Sequence, residues 1–225
     1  MTADMNHTSS SFGAYEAVRI LIPGCYFAAL LLVFLYLLSA ALGRPLDLEG
    51  MKLLLIFTTV AVVSGLTLYA KEGTKRRRAF QENQPSLYIK TKARSMPDLP
   101  VMEESDARQL YFYLLNNFVP SVFHEKIFFF GTIYHIMIQI RRTSLWFAVL
   151  SSIAVVLALA AVLAASSAND LIAFAAVAWI MYLLNVRYNK ADRKMQENYQ
   201  DQIYWMEMNN DLIESLLRKR HTPHS

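Results

Sequence analysis

Four uncharged apolar runs dominate the chain, at Ile20–Leu42, Leu53–Ala70, Leu145–Ala165 and Leu171–Val186. A bilayer core about 30 Å thick needs ~20 helical residues at ~1.5 Å each. The first run has 23 residues and the fourth only 16. Arg187 and Tyr188 follow the fourth, and their stems and rings suit a headgroup region, so the flanks extend it. Short connectors, Gly43–Lys52 and Ser166–Asp170, follow runs one and three. The pattern therefore predicts an all-α integral membrane protein with four transmembrane helices in two hairpins. Pro23-Gly24 lies just inside the first helix, where loss of a backbone donor predicts a kink or a helix start. Residues 1–13 are polar and Ser-rich and are expected to be disordered.

Between the hairpins lies a segment of different character. Lys71–Pro100 is charged, contains prolines at 85, 97 and 100, and shows little periodicity. Leu87-Tyr88-Ile89 reads as a short strand or as chain lying on the protein. Ser105 is expected to cap a helix running to about Phe118, with Asp106 in its first turn. After Pro120-Ser121 a new helix is expected from Val122 to about Arg142. On it Glu125, Thr132, His135, Gln139 and Arg142 form one narrow polar stripe in an otherwise apolar surface. Its uncharged core, Ile127–Ile140, is 14 residues and too short to cross a bilayer. Such a helix must lie against protein or in the lipid interface. It is expected to continue through Arg141-Arg142 into the third span. The stripe is a candidate ligand or partner face, or simply a solvated one.

The tail, Asn189–Arg220, reads as one helix of ~48 Å. Tyr199, Ile203, Met206, Ile213 and Leu217 recur at threes and fours, with Asn209-Asn210 interrupting. That is an imperfect coiled-coil seam, suited to self-association or to packing on the chain's own insert.

Charge then sets the expected orientation. Of 22 Lys and Arg, 12 lie between runs two and three, seven follow run four, and Arg19 precedes run one. Only Arg44 and Lys52 fall in the opposite connectors. Basic residues near crossings stay on the cytoplasmic side. The expected organisation is a cytosolic segment 1–19, hairpin 20–70, a helical cytosolic insert 71–143, hairpin 144–188, and a cytosolic C-terminal helix and tail 189–225. Both termini face the cytoplasm and the location is the inner membrane. Residues 1–14 hold no Lys or Arg and run one exceeds a signal-peptide core, so run one is expected to be retained. Lys75-Arg76-Arg77-Arg78 reads as a topology anchor attracted to anionic lipid. A nucleic-acid surface would interleave aromatic residues with such charge, and this run does not.

Candidate chemistry is sparse. Cys25 is the one cysteine, so no intramolecular disulfide or Cys-based metal site is available. His124 and His135 are eleven residues apart, roughly 16 Å along a helix, too far to share an ion unaided. No HExxH, phosphate loop, GxSxG or paired-carboxylate motif occurs, and no cofactor or metal is expected. Polar residues in the runs, such as Thr58, Ser64, Ser151 and Asn185, suit interhelical hydrogen bonds. Ala154/Ala158 and Ala161/Ala165 suit close helix contact.

The layout resembles that of small inner-membrane proteins with four spans and a cytosolic sensing part, among them membrane-acting antiviral effectors. No diagnostic motif of a family accompanies that layout; the tail seam and the helix continuous with the third span are what lead to the expectation of a non-enzymatic homo-oligomer in the lipid bilayer. Its insert and tail would sense a cytosolic protein or small-molecule ligand and alter the transmembrane bundle. A scaffold anchoring a cytosolic partner is the alternative, followed by a membrane enzyme acting on lipid near Glu125 and His135.

Overall fold

The computed structural model describes residues 5–44, 46, 50–79, 84–160, 168–188 and 190–221. Among the described residues eight helices follow one another: α1 (Met5–Ala41), α2 (Gly50–Ala79), α3 (Pro85–Arg94), α4 (Glu104–Asn117), α5 (Ser121–Leu159), α6 (Ala168–Tyr188), α7 (Ala191–Met208) and α8 (Asn210–His221). Among the described residues there is no strand. Four stretches are long and apolar enough to cross a membrane: Gly13–Ala41, Gly50–Lys71, Phe123–Leu159 and one within Asn169–Met208. The chain divides into two compact units, one of Met1–Gly73 with Thr132–Ala191, the other of Thr74–Gly131 with Asp192–Ser225. Residues 132–143, expected in the insert, thus group with the span-length helices.

In the first unit, the inward faces carry small residues and rings. Phe34 stands against Phe147 and Phe174 at 6.1 Å each, and Phe27 meets Phe147 edge-on at 5.5 Å. Ala148, Ala154, Ala158, Leu171 and Ala178 complete this core. Ala154/Ala158 therefore do pack a helix contact, whereas Ala161/Ala165 lie outside the described residues. On the Gly50–Lys71 stretch of α2 the buried positions are Ala61, Gly65 and Leu68, one turn apart each, and most of the remaining surface of that stretch is exposed apolar side chain. The helix start considered at Pro23-Gly24 is not found, because α1 runs from Met5 to Ala41 with Pro23 inside it. The role of Gly24 is contact, because an added Cβ would collide with the Ala61 carbonyl, as one at Gly65 would with that of Ile20. The Ser64 hydroxyl also reaches the Gly24 carbonyl at 3.4 Å. The N-terminal disorder expected for residues 1–13 is not found from Met5 onward, where α1 has begun.

In the second unit, α3 replaces the expected loose chain and the strand considered at Leu87-Tyr88-Ile89. Pro85 occupies the first turn, where its missing N–H costs nothing, and Ile89 and Ala93 face inward one turn apart. The strand reading failed because ten residues give too few turns for a helical period to stand out. α4 begins at Glu104 with Glu103 as its cap and no side-chain cap bond, so Ser105 is not the cap. Met102, Ala107, Leu110 and Leu114 join Ile89, Ala93 and Met96 in a core that α8 closes with Ile213 and Leu217. The tail is two helices, not one. Asn209 breaks it, turning its amide Nδ2 back to the Trp205 carbonyl at 2.8 Å. Lys92–Glu214 at 2.8 Å and Arg220–Asp106 at 2.7 Å tie α8 to α3 and α4. The Lys92 partner lowers the Glu214 carboxyl from its ordinary range, with Asn210 adding to it, and Glu214 raises the Lys92 ammonium.

Candidate functional site

Three members of the polar stripe of α5, joined by Thr143, form an inward face. Thr132, His135, Gln139 and Thr143, spaced by three, four and four, are 3%, 4%, 1% and 0% exposed. The side chains left outside are apolar: Phe129, Ile133, Trp146, Val149 and Leu150. A helix in water buries the opposite faces, so the solvated-face expectation fails here.

The burial is supported by partners from α1 and α2. Arg19 donates Nε–H to Thr132 Oγ1 at 3.1 Å while an Nη1–H binds Glu16 Oε1 at 2.7 Å. This pair is only 11% and 22% exposed. The Tyr69 ring lies 5.5 Å from His135. Gln139 Nε2 donates to the Leu68 carbonyl at 3.2 Å, and one turn on, the hydroxyls of Tyr26 and Ser144 meet at 2.7 Å. Thr143 Oγ1 is buried without a hydrogen-bond partner. Below it Phe147 closes the face with Phe27 and Phe34. Further on, Ser151 returns its hydroxyl to its own helix carbonyls. The arrangement is a sealed polar cluster at one end of a helical bundle, stopped by three rings.

Of the five stripe residues, Thr132, His135 and Gln139 are brought together. Arg142 is partly buried and has a partner, and Glu125 is exposed in the other unit. Sequence reasoning missed Glu16, Arg19, Tyr69 and Thr143. Thr143 extends the 132–135–139 series as well as Arg142 does, and that spacing was the available signal. The α1 and α2 partners carry no local signal, since tertiary contact alone selects them.

The seam residues also have new places. Met206, Ile213 and Leu217 belong to the second unit's own core, while Tyr199 and Ile203 are partly buried. A seam between copies would have to open that core to use the first three. On the same unit, Gln202 shares a narrow apolar crevice with Tyr111, Leu114, Phe123, Ile127 and Trp205. Among the described residues no three of His, Cys, Asp and Glu are grouped to hold a metal. No family model matches the chain, and no curated protein or solved structure matches it either.

Proposed function

We propose that the chain is a non-enzymatic, oligomeric inner-membrane component with four crossings and both ends in the cytoplasm. Its second unit senses a cytosolic partner or ligand, and the sensed state is passed to the bundle as a change in membrane permeability. The observation that supports this reading is the buried polar face Thr132–His135–Gln139–Thr143 on a stretch of α5, 129–150, whose exposed side chains are apolar. Polar groups inside a membrane bundle are costly, and where they persist they mark paths or switches. Phe27 and Phe34, packed edge-on against Phe147 beneath the cluster, would on opening of the bundle form the kind of apolar constriction that gates by excluding water. The unbroken α5 contributes residues to both units, so a shift of its first turns is passed covalently toward the cluster. Coupling requires a ligand that binds two states unequally.

The test is expression in cells loaded with a membrane-potential dye. Depolarisation that disappears in Gln139→Leu and strengthens in Phe147→Ala, at equal membrane abundance, supports the reading. An unchanged potential in wild-type cells refutes it and favours a scaffold, a role also supported by the exposed Tyr204 and Met208. Orientation is tested in a Cys25→Ser background with an impermeant maleimide. Val101→Cys should label only from the cytoplasm and Leu46→Cys only from outside; the reverse pattern removes the topology.

A further inference from the structure

The inward line of α5 is a file of hydrogen-bonding groups interrupted by one ring. Thr132, His135, Gln139 and Thr143 follow one another at three, four and four residues. Phe147 and Ser151 continue the line at four and four, and all six are buried. Steps of three or four bring side chains to about 5–6 Å, a gap that one water bridges. Past Ser151 the line runs on as Ala154 and Ala158, both buried and small. Phe147 is therefore its one bulky side chain among the described residues.

The line starts beside titratable groups. Glu16 binds Arg19 at 2.7 Å and accepts a hydrogen bond from the Tyr69 hydroxyl. The Tyr69 ring lies in turn 5.5 Å from that of His135. At the other end of the polar run, the Thr143 hydroxyl is buried without a partner, next to Phe147.

Few species suit such a line. A metal cation that sheds its water needs a ring of carbonyl or carboxylate oxygens, and an anion needs a ring of basic side chains. The four apolar runs contain no Asp, Glu, Lys or Arg. Glu16 and Arg19 neutralise each other at the start of the line. A proton needs only successive groups with exchangeable hydrogens and a water in each gap.

We propose that the ion passed by the opened bundle is the proton, relayed by Thr132, His135 and Thr143. At His135 an N–H bond forms on one ring nitrogen while the N–H bond on the other breaks. The released proton goes to water, and the imidazole keeps the number of protons it began with. Gln139, tied to the Leu68 carbonyl, is a positioning residue that orients the water between His135 and Thr143. Phe147 closes the file until the bundle opens and water passes it. This inference rests on the permeability role proposed above and names its permeant.

The test uses full-length protein in liposomes loaded with potassium sulfate and the pH dye pyranine, diluted into N-methylglucamine sulfate at equal pH. In the first arm valinomycin lets potassium leave, and the inside-negative potential draws protons in through the protein, so the dye reports acid. In the second arm a protonophore replaces valinomycin, and the dye reports acid only if potassium leaves through the protein. Phe147→Ala removes the closing ring, so no cytosolic signal is needed. Phe147→Ala vesicles should acidify in the first arm and match empty liposomes in the second. Thr143→Val or His135→Gln, added to Phe147→Ala, should each slow the first arm by about tenfold or more. Thr143→Val nearly conserves shape, and a melting temperature no lower than that of Phe147→Ala shows that it is folded. A folded Thr143→Val protein that keeps the full rate overturns the proposal. Equal acidification in both arms also overturns it, yet leaves the permeability role standing as a pore for hydrated ions. Silence in both arms overturns it too, while depolarisation in cells decides the effector role separately.

Discussion

Gly24 and Ala61 touch backbone to backbone: a single Cβ added at Gly24 would overlap the Ala61 carbonyl. Lipid supplies little hydrophobic drive between helices, so close approach and dispersion hold such a pair. Gly24→Ala and Gly65→Ala must push α1 from α2. Each should destabilise the first unit by about 1–3 kcal/mol, as overpacking does. Unfolding in mild detergent reads this, with Gly13→Ala as a comparison outside any tight contact. A Gly24→Ala protein as stable as wild type would mean the two helices do not meet there.

Thr143 gives a prediction of opposite sign. Its hydroxyl is buried without a partner, so Thr143→Val removes an unsatisfied group at nearly constant shape. Stability should rise by about 1 kcal/mol in the same assay. A loss of stability would show that the hydroxyl is bonded in the folded protein.

Leu217 separates core from seam. It is fully buried in the second unit, and Leu217→Ala should cost about 2–5 kcal/mol of that unit's stability at any protein concentration. Were Leu217 a contact between copies, the substitution would instead lower the oligomer's molar mass and leave the diluted protein equally stable.

The Lys92–Glu214 pair sets a pH dependence for the docking of α8. Glu214 titrates below its ordinary 4.5, so its contribution is present above that value and is lost as pH falls through the lowered pKa. Lys92 titrates above its ordinary 10.5, so its contribution is present below that value and is lost as pH rises through the raised pKa. Hydrogen exchange of α8 should be flat from about pH 5 to 9 after correction for intrinsic rates, and rise below about pH 4. Lys92→Met should remove the acid limb attributable to this pair. An acid limb of unchanged size in that variant assigns it to other carboxylates.

The stripe shows where reading the chain stops. Its spacing identified a single face, and the structure keeps three of its five members together. Periodicity gives a face but not its direction. The same Thr132, His135 and Gln139 point outward on a helix in water and inward on one surrounded by apolar medium. The first choice was natural because Glu125, which remains exposed, begins the series. The seam failed for a related reason: Ile213 and Leu217 need an apolar partner, and periodicity does not say whether it is another copy or Ile89 and Leu110 of the same chain.

By itself the sequence determined an all-helical chain with four apolar runs of crossing length and a helix running unbroken from the insert into the third run. These are local properties, set by composition over ~20 residues and by the 3.6-residue period. Tertiary structure decided the rest. It turned the polar stripe inward against Arg19 and Leu68, made α3 a helix, and brought Gly24 onto Ala61. It also closed α8 over the second unit's core. Each depends on which distant segment fills the space beside a residue, and that is fixed by shape and hydrogen-bond complementarity between segments far apart in the chain.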